Sequence, residues 1–175
     1  MRYFKKIAGG QVYLSPINAD DAETYAKWLN NKETTHFLNI YSHALPLAAE
    51  RDALEKISRE HNYAIVRASD DILLGNIGFH GIKHINRTAI IGIFIGEPSQ
   101  WGKGYGTEAM KLLIEYGFDT LNLRNIMLLH FADNDRARRC YEKVGFREIG
   151  RRTGAVYRDG AYIDEVFMEI LNPRG

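Results

Sequence analysis

The sequence predicts an α/β fold of the α+β type: one domain with a mixed, largely antiparallel sheet flanked by about four helices. Three observations carry that prediction. Two early segments repeat apolar residues at helical spacing. Three strand-like segments then follow one another across short polar turns, and a strand–loop–helix–strand–helix run fills the middle of the chain. At 175 residues the chain can bury roughly 70% of its unfolded surface, enough for one substantial core and not for a second. No repeat, low-complexity stretch or Pro/Ser-rich linker divides it, so residues 1–175 read as a single domain.

Gln11 to Leu14 reads as a short strand closed by Ser15-Pro16. Asn18-Ala19-Asp20-Asp21 then offers capping acceptors to a helix whose face is Ala22, Tyr25, Ala26 and Leu29. A second helix is expected from about Leu47 to Arg59, with Leu54 and Ile57 inward. Strands follow at Tyr63–Val66, Ile72–Ile82 and Thr88–Ile95, as an antiparallel meander. A helix starting near Thr107 presents Met110, Leu113, Ile114, Gly117, Phe118 and Leu121 on one face. Ile126 to Phe131 is nearly all apolar, as in a strand buried on both sides. A helix with Ala137, Cys140, Tyr141 and Val144 inward stops at Gly145, a C-terminal glycine cap. Strands Phe146–Tyr157 and Tyr162–Leu171 close the chain around the turn Arg158-Asp159-Gly160.

Composition narrows the function. Hydrophobic residues make up 45% and charged residues 26%, an ordinary globular balance. With 23 Lys+Arg against 22 Asp+Glu the net charge is +1, which argues against a protein that coats nucleic acid or anionic membrane. The single cysteine, Cys140, cannot form an internal disulfide, and the N-terminus lacks the apolar run of a signal peptide. The longest apolar stretch, Ala89–Ile95, is too short to cross a bilayer. A cytoplasmic protein is the expectation. No His/Cys/Asp cluster has metal-ligand spacing; His80 and His84 have no third ligand near them in sequence.

Glycine is unevenly distributed. Of 16 glycines, eight fall between Gly75 and Gly106, and three alternate in Gln100-Trp101-Gly102-Lys103-Gly104-Tyr105-Gly106-Thr107. Alternating glycines between a strand and a helix allow positive φ and close backbone approach to a ligand. Unpaired N–H groups and the helix dipole then favour an anion at the same point, with a pyrophosphate as natural occupant and Lys103 adding charge at the rim. The spacing matches neither G-x-x-x-x-G-K-[ST] nor G-x-G-x-x-G, which disfavours a P-loop or a dinucleotide fold.

Trp101-Gly102-Lys103-Gly104-Tyr105-Gly106-Thr107-Glu108-Ala109 resembles the acetyl-CoA loop of the GNAT N-acetyltransferases, in particular the branch with RimJ/RimL-like ribosomal-protein and spermidine acetyltransferases. Asn134 through Phe146 and the ending Tyr157 through Asp164 agree with it, and the resemblance spans roughly residues 10 to 171. Trp101 stands where the family often has Gln or Arg, and Gln100 is one residue early, so it is not given that role. The resemblance implies a sheet splayed at its centre, between the strand ending near Ile95 and the strand starting near Ile126. It also implies a pantetheine arm along the backbone of Phe94 and Ile95, and pyrophosphate on the amides of Gly102, Lys103, Gly104, Tyr105, Gly106 and Thr107. Gly92 and Gly96 are candidates to permit the bulge that opens the sheet. Gly75, Gly78 and Gly81 receive no assignment.

The implied reaction moves acetyl from the thioester of acetyl-CoA to a primary amine by direct attack. The amine must lose a proton, the oxyanion needs a donor such as the amide near Ile95, and the leaving thiolate is helped by an acid. Tyr141 matches the family's acid position, although on pattern alone it reads as core. Asn134 would hold the pantetheine arm, and it would equally cap the helix that follows. Glu97 is the candidate base; as a loop carboxylate it reads equally well as solvated. His80 and His130 are substitutes, and Asp164 and Glu165 are candidates for gripping a cationic amine. Glu33, Glu50, Asp52, Glu55 and Glu60 also offer carboxylates in the early helices that set the acceptor.

Expected partners are a small-molecule amine, polyamine-like in one version, or a peptide N-terminus, with a homodimer compatible; nucleic acid, membrane and metal are not expected. Two competing classes predict different residues. A non-catalytic acyl-CoA-binding or sensing module would lose the acid, yet Tyr141 is present. A nucleotide-binding protein of another fold would carry a different glycine spacing.

Overall fold

The computed structural model describes residues 2–174. Within them the chain runs β1 (Ile7–Ala8), β2 (Val12–Pro16), α1 (Ala22–Leu29), α2 (Lys32–Thr35), α3 (Leu47–Ile57), β3 (Asn62–Arg67), β4 (Leu73–Lys83) and β5 (Thr88–Ile95). It continues through α4 (Tyr105–Asp119), β6 (Asn125–Phe131), α5 (Asp135–Val144), β7 (Arg147–Arg158) and β8 (Ala161–Leu171). The strands hydrogen-bond in the order β1-β2-β3-β4-β5-β6-β8-β7, so the mixed sheet is present. Ladders β1–β2, β2–β3, β3–β4, β6–β8 and β7–β8 are antiparallel, while β5 runs parallel to β6. That parallel ladder covers only Thr88–Ile90 against Asn125–Met127, and β5 continues to Ile95. The chain divides into two compact units.

The first unit comprises Met1–Phe79 and Gly92–Leu113. Its core holds Tyr13, Ile17, Ala22, Tyr25, Trp28, Leu54, Ala64 and Val66, with Phe94 packed against it. Of the predicted capping residues Asn18 caps: it accepts from the Asp20 amide at 3.0 Å and opens a 3-10 turn, Ala19–Asp21, that runs into α1. Asp21 makes no cap there and instead accepts from the Tyr3 hydroxyl at 3.1 Å. Tyr25, Trp28 and Phe94 meet edge-on, with ring centroids 5.5, 5.9 and 6.2 Å apart. Two elements have no sequence signature. α2 is a single turn capped by Asn31, and β1 is two residues long; both are too short to show a period.

The second unit comprises His80–Ile91 and Ile114–Gly175. Arg87, in the left-handed region at φ 57°, donates to the backbone oxygen and the side chain of Asn122, both at 2.8 Å. These bonds tie the β4–β5 turn to the α4–β6 connection. β6 pairs with β8 along its whole length, Asn125 opposite Leu171 through Phe131 opposite Glu165. It is not buried on both faces as its apolar run suggested: Ile126, Leu128 and His130 are buried, while Met127 and Leu129 are half-buried. α5 ends as predicted at Gly145, which takes φ 111°, a conformation that β-carbon residues rarely adopt. No helix among the described residues is long and apolar enough to cross a membrane.

Candidate active site

The predicted site residues fall into two groups, one in each unit. In the first unit, β5 ends at Ile95 and a 3-10 turn at Pro98–Gln100 leads into the glycine loop. The Trp101 indole N–H donates to the Ile95 carbonyl at 2.8 Å, which pins the loop to the strand end. The Gln100 side-chain oxygen accepts from Arg67 and from Lys103, each at 3.2 Å, so Gln100 braces the loop. Gly102 and Gly104 take φ of 74° and 90°. A β-carbon on Gly102 would meet nothing within 4 Å, and one on Gly104 only the Gln11 amide nitrogen at 3.7 Å. Beyond the neighbouring loop residues, described atoms leave the β-carbon positions of both residues open, the geometry a bulky anion needs. The expectation of three positive-φ glycines holds for two. Gly106 already lies in α4, which starts at Tyr105 rather than near Thr107, and its position faces Ile93 and Ile95 side chains at ordinary contact distance.

The first turn of α4 supplies the donors. The Glu108 amide reaches the Gly104 carbonyl at 3.0 Å, so the amides of Tyr105, Gly106 and Thr107 precede the helical ladder. Lys103 is exposed beside them. This set fits a diphosphate by charge, by donor type and by open space.

Glu97 follows Gly96, a residue held tightly by its neighbours. The Gly96 amide donates to Leu74 at 2.8 Å, and its carbonyl accepts from the Thr34 hydroxyl at 2.9 Å. The Trp28 ring occupies the space a β-carbon at Gly96 would need. Glu97 is half-buried, makes no cap to the 3-10 turn, and lines a cavity of about 570 Å³ with Glu23, Lys27, Trp28, Ile72 and Gln100. Sequence reasoning missed Glu23 and Lys27, which have no distinguishing spacing. Among the carboxylates offered by the early helices, Glu50 stands apart. It is only 6% exposed, one turn before Leu54 on the inner face of α3, and burial without a compensating charge pushes its carboxyl up to about 7.

In the second unit, Asn134 and Tyr141 sit at the start and the last turn of α5. Asn134 is 8% exposed and its side-chain oxygen accepts from the Ala137 amide at 3.1 Å. The predicted cap is real, and it commits the oxygen, leaving the amide nitrogen as the end available to a ligand. Arg158, 4% exposed, forms an ion pair with Asp133 and lies over the Phe131 ring at 5.3 Å. It anchors the turn that carries Asn134. Sequence reasoning read Arg158 only as a turn residue, because its partner is distant in sequence.

Tyr141 is 9% exposed and packs against Phe146 and His130, with ring centroids at 6.1 and 5.8 Å. Burial raises its phenol above the usual range, so the group stays protonated. His130 is buried, its Nδ1–H donates to the Phe131 carbonyl at 2.8 Å, and its Nε2 has no partner. The candidate carboxylates of β8 are engaged elsewhere: Asp164 accepts from the Gly154 amide at 2.9 Å and Glu165 pairs with Arg152 at 3.5 Å. Both stabilise the β7–β8 hairpin. His80 is exposed, and no cluster of three metal-ligating side chains occurs among the described residues.

Comparison with known proteins matches these features. A family model described as an acetyltransferase (GNAT) domain covers residues 11–147. The chain is 29% identical over 169 residues to the uncharacterized N-acetyltransferase YoaA of Bacillus subtilis, covering 94% of this chain and 95% of that protein. It is 30% identical over 129 residues to the spermidine N(1)-acetyltransferase of Vibrio cholerae, 70% of this chain and 74% of that one. A crystal structure of a spermidine N-acetyltransferase from Vibrio cholerae with CoA and spermine shares the fold at a TM-score of 0.82 and 24% identity, covering 93% of this chain and 96% of that chain. The chain thus belongs to the GNAT acetyltransferases, and its activity is that of an acetyl-CoA-dependent N-acyltransferase.

Proposed function

We propose that residues 1–175 act as one cytoplasmic acetyltransferase domain that moves acetyl from acetyl-CoA to a primary amine, on a small polyamine-like molecule or a peptide N-terminus. The observation that carries the reading is the clear face above Gly102 and Gly104 at the start of a 15-residue helix. In this reading the amides of Gly102 through Thr107 hold the diphosphate and Lys103 adds charge at its rim. The backbone of Phe94 and Ile95 and the amide nitrogen of Asn134 hold the pantetheine arm.

Glu97, at the cavity with Glu23 and Lys27, takes the proton of the attacking ammonium. The free amine then attacks the thioester carbon, the C–N bond forms, and the amide near Ile95 stabilises the oxyanion. As the tetrahedral intermediate collapses, the C–S bond breaks and Tyr141 gives its proton to the departing thiolate. The surplus proton on the new amide nitrogen passes back to the phenolate, leaving a neutral amide, free CoA thiol and Tyr141 restored. Tyr141 suits the acid role because burial keeps it protonated. The reading calls for no nucleic acid, membrane or metal and is compatible with a homodimer.

The test is release of free CoA across polyamines, aminoglycosides, amino acids and short peptides. Turnover is expected on one amine class. Binding of acetyl-CoA with no turnover on any amine would replace the enzyme with an acyl-CoA-sensing module.

A further inference from the structure

Glu108 poses an electrostatic problem. It sits in the first turn of α4, one turn from the glycine loop, where a carboxylate would repel a bound diphosphate. Its lone pairs are turned elsewhere. Oε1 accepts from the Gly10 amide at 2.6 Å, and Oε1 and Oε2 each accept from the Gln11 amide at 3.1 Å. Two backbone donors, the Gln11 amide shared between both oxygens, offset its charge and strap the β1–β2 turn onto the start of α4. The fit is close: a β-carbon on Gly9 would lie 2.6 Å from Glu108 Oε1 and 2.8 Å from Leu112 Cδ1.

The strap has a second consequence. It fixes the backbone of Gln11, whose exposed side chain brings Nε2 to within 3.7 Å of the β-carbon position of Gly104. Gly104 and its two chain neighbours aside, no other atom of the described residues comes within 4 Å of that point. A neutral amide there adds an N–H donor from outside the loop and brings no charge of its own.

We propose that Gln11 is a further ligand of the acetyl-CoA diphosphate, and that Glu108 is the positioning residue that places it. The proposal rests on the diphosphate assignment above. It explains why a helix start suited to an anion carries a glutamate: the glutamate faces the hairpin and delivers a donor in its place.

The experiment is calorimetric titration of the full chain with CoA and with dephospho-CoA, which lacks the 3′-phosphate and keeps the diphosphate. Gln11→Glu, a surface change, should leave the melting temperature unaltered and weaken both ligands about tenfold or more, since it sets a carboxylate against an anion. Gln11→Ala should weaken both about threefold. Glu108→Ala should raise the KM for acetyl-CoA with kcat unchanged, and Glu108→Gln, which keeps an acceptor for the hairpin amides, should restore most of the loss. In the Glu108→Ala background Gln11→Glu should add little, because its side chain is no longer held in place. Equal affinities in wild type and Gln11→Glu would overturn the proposal while leaving the diphosphate site standing. A loss confined to CoA would overturn it too, by placing Gln11 at the 3′-phosphate. A wild-type chain that binds neither ligand would overturn the diphosphate assignment itself.

Discussion

The glycine loop of the first unit and the Asn134–Tyr141 segment of the second assemble their chemistry from different materials. The loop offers backbone: amides at a helix start, with two residues in the left-handed region and clear space above them. The α5 segment offers side chains, and each has structural work as well. Asn134 caps a helix, and Tyr141 packs between Phe146 and His130. A backbone site is broken by adding atoms, whereas a side-chain site is broken by removing them, and only the second kind can lose one task and keep the other.

The largest expected effect comes from adding atoms to the loop. Gly104→Val places a branched side chain at φ 90°, which costs about 1–2 kcal/mol in backbone strain, and fills the space above the amides. CoA binding measured by calorimetry should fall by more than about a hundredfold, with the melting temperature lowered by only a few degrees. Wild-type affinity in this variant would break the comparison, because the loop would then hold nothing.

Removing a single oxygen from the α5 segment should act on the rate alone. Tyr141→Phe keeps the ring contacts with Phe146 and His130, so the fold and CoA affinity should hold. The turnover rate should drop by roughly ten- to a thousandfold, as loss of one general acid does. An unchanged kcat would reduce Tyr141 to a core residue.

This contrast also explains what could be read from the sequence. Glycines spaced between a strand and a helix are visible as letters, because backbone chemistry requires that residue type. Tyr141 on an apolar helix face is indistinguishable from core packing by pattern, and only likeness to a family marked it. Strand and helix order was legible wherever an element was long enough to show a period, as in α3 and β8. β1 and α2 were not, and neither was Arg158, whose value lies in an ion pair with Asp133 that the β7–β8 return creates. Gly75 and Gly78 likewise gain a reason only in three dimensions: side chains there would run into the Phe94 carbonyl and the Asn62 side chain. The hairpin partners of Asp164 and Glu165, Gly154 and Arg152, are likewise not apparent from spacing.

Glu50 carries the lesson into the first unit, where a side chain again escapes the pattern. Its carboxyl titrates near 7 in the fold against an unfolded value of 4.5. The folded state therefore holds its proton more tightly. Stability from this group is full below about pH 4.5 and is lost as pH rises towards 7. Glu50→Gln removes the dependence. The variant should be more stable than wild type by about 1–3 kcal/mol at pH 8, and the advantage should vanish by about pH 5. Thermal melts at the two pH values provide the check, and equal differences at both would exclude a buried, unpaired carboxylate.

The smallest effect gives the sharpest separation of tasks. At Asn134 the side-chain oxygen holds the Ala137 amide, and the nitrogen is the end assigned to the pantetheine arm. Asn134→Asp keeps an acceptor for the cap, and its charge suits a helix start, but it has no N–H to donate. Its melting temperature should match wild type while CoA affinity falls about three- to tenfold, the worth of one hydrogen bond. Asn134→Ala should lose both, about 1 kcal/mol of stability together with the same affinity. If Asp binds CoA as Asn does, Asn134 is a cap alone, and the α5 segment contributes only Tyr141 to the chemistry. If Asp weakens binding at constant stability, one residue serves the fold with its oxygen and the ligand with its nitrogen, an arrangement that backbone amides in the glycine loop cannot reproduce.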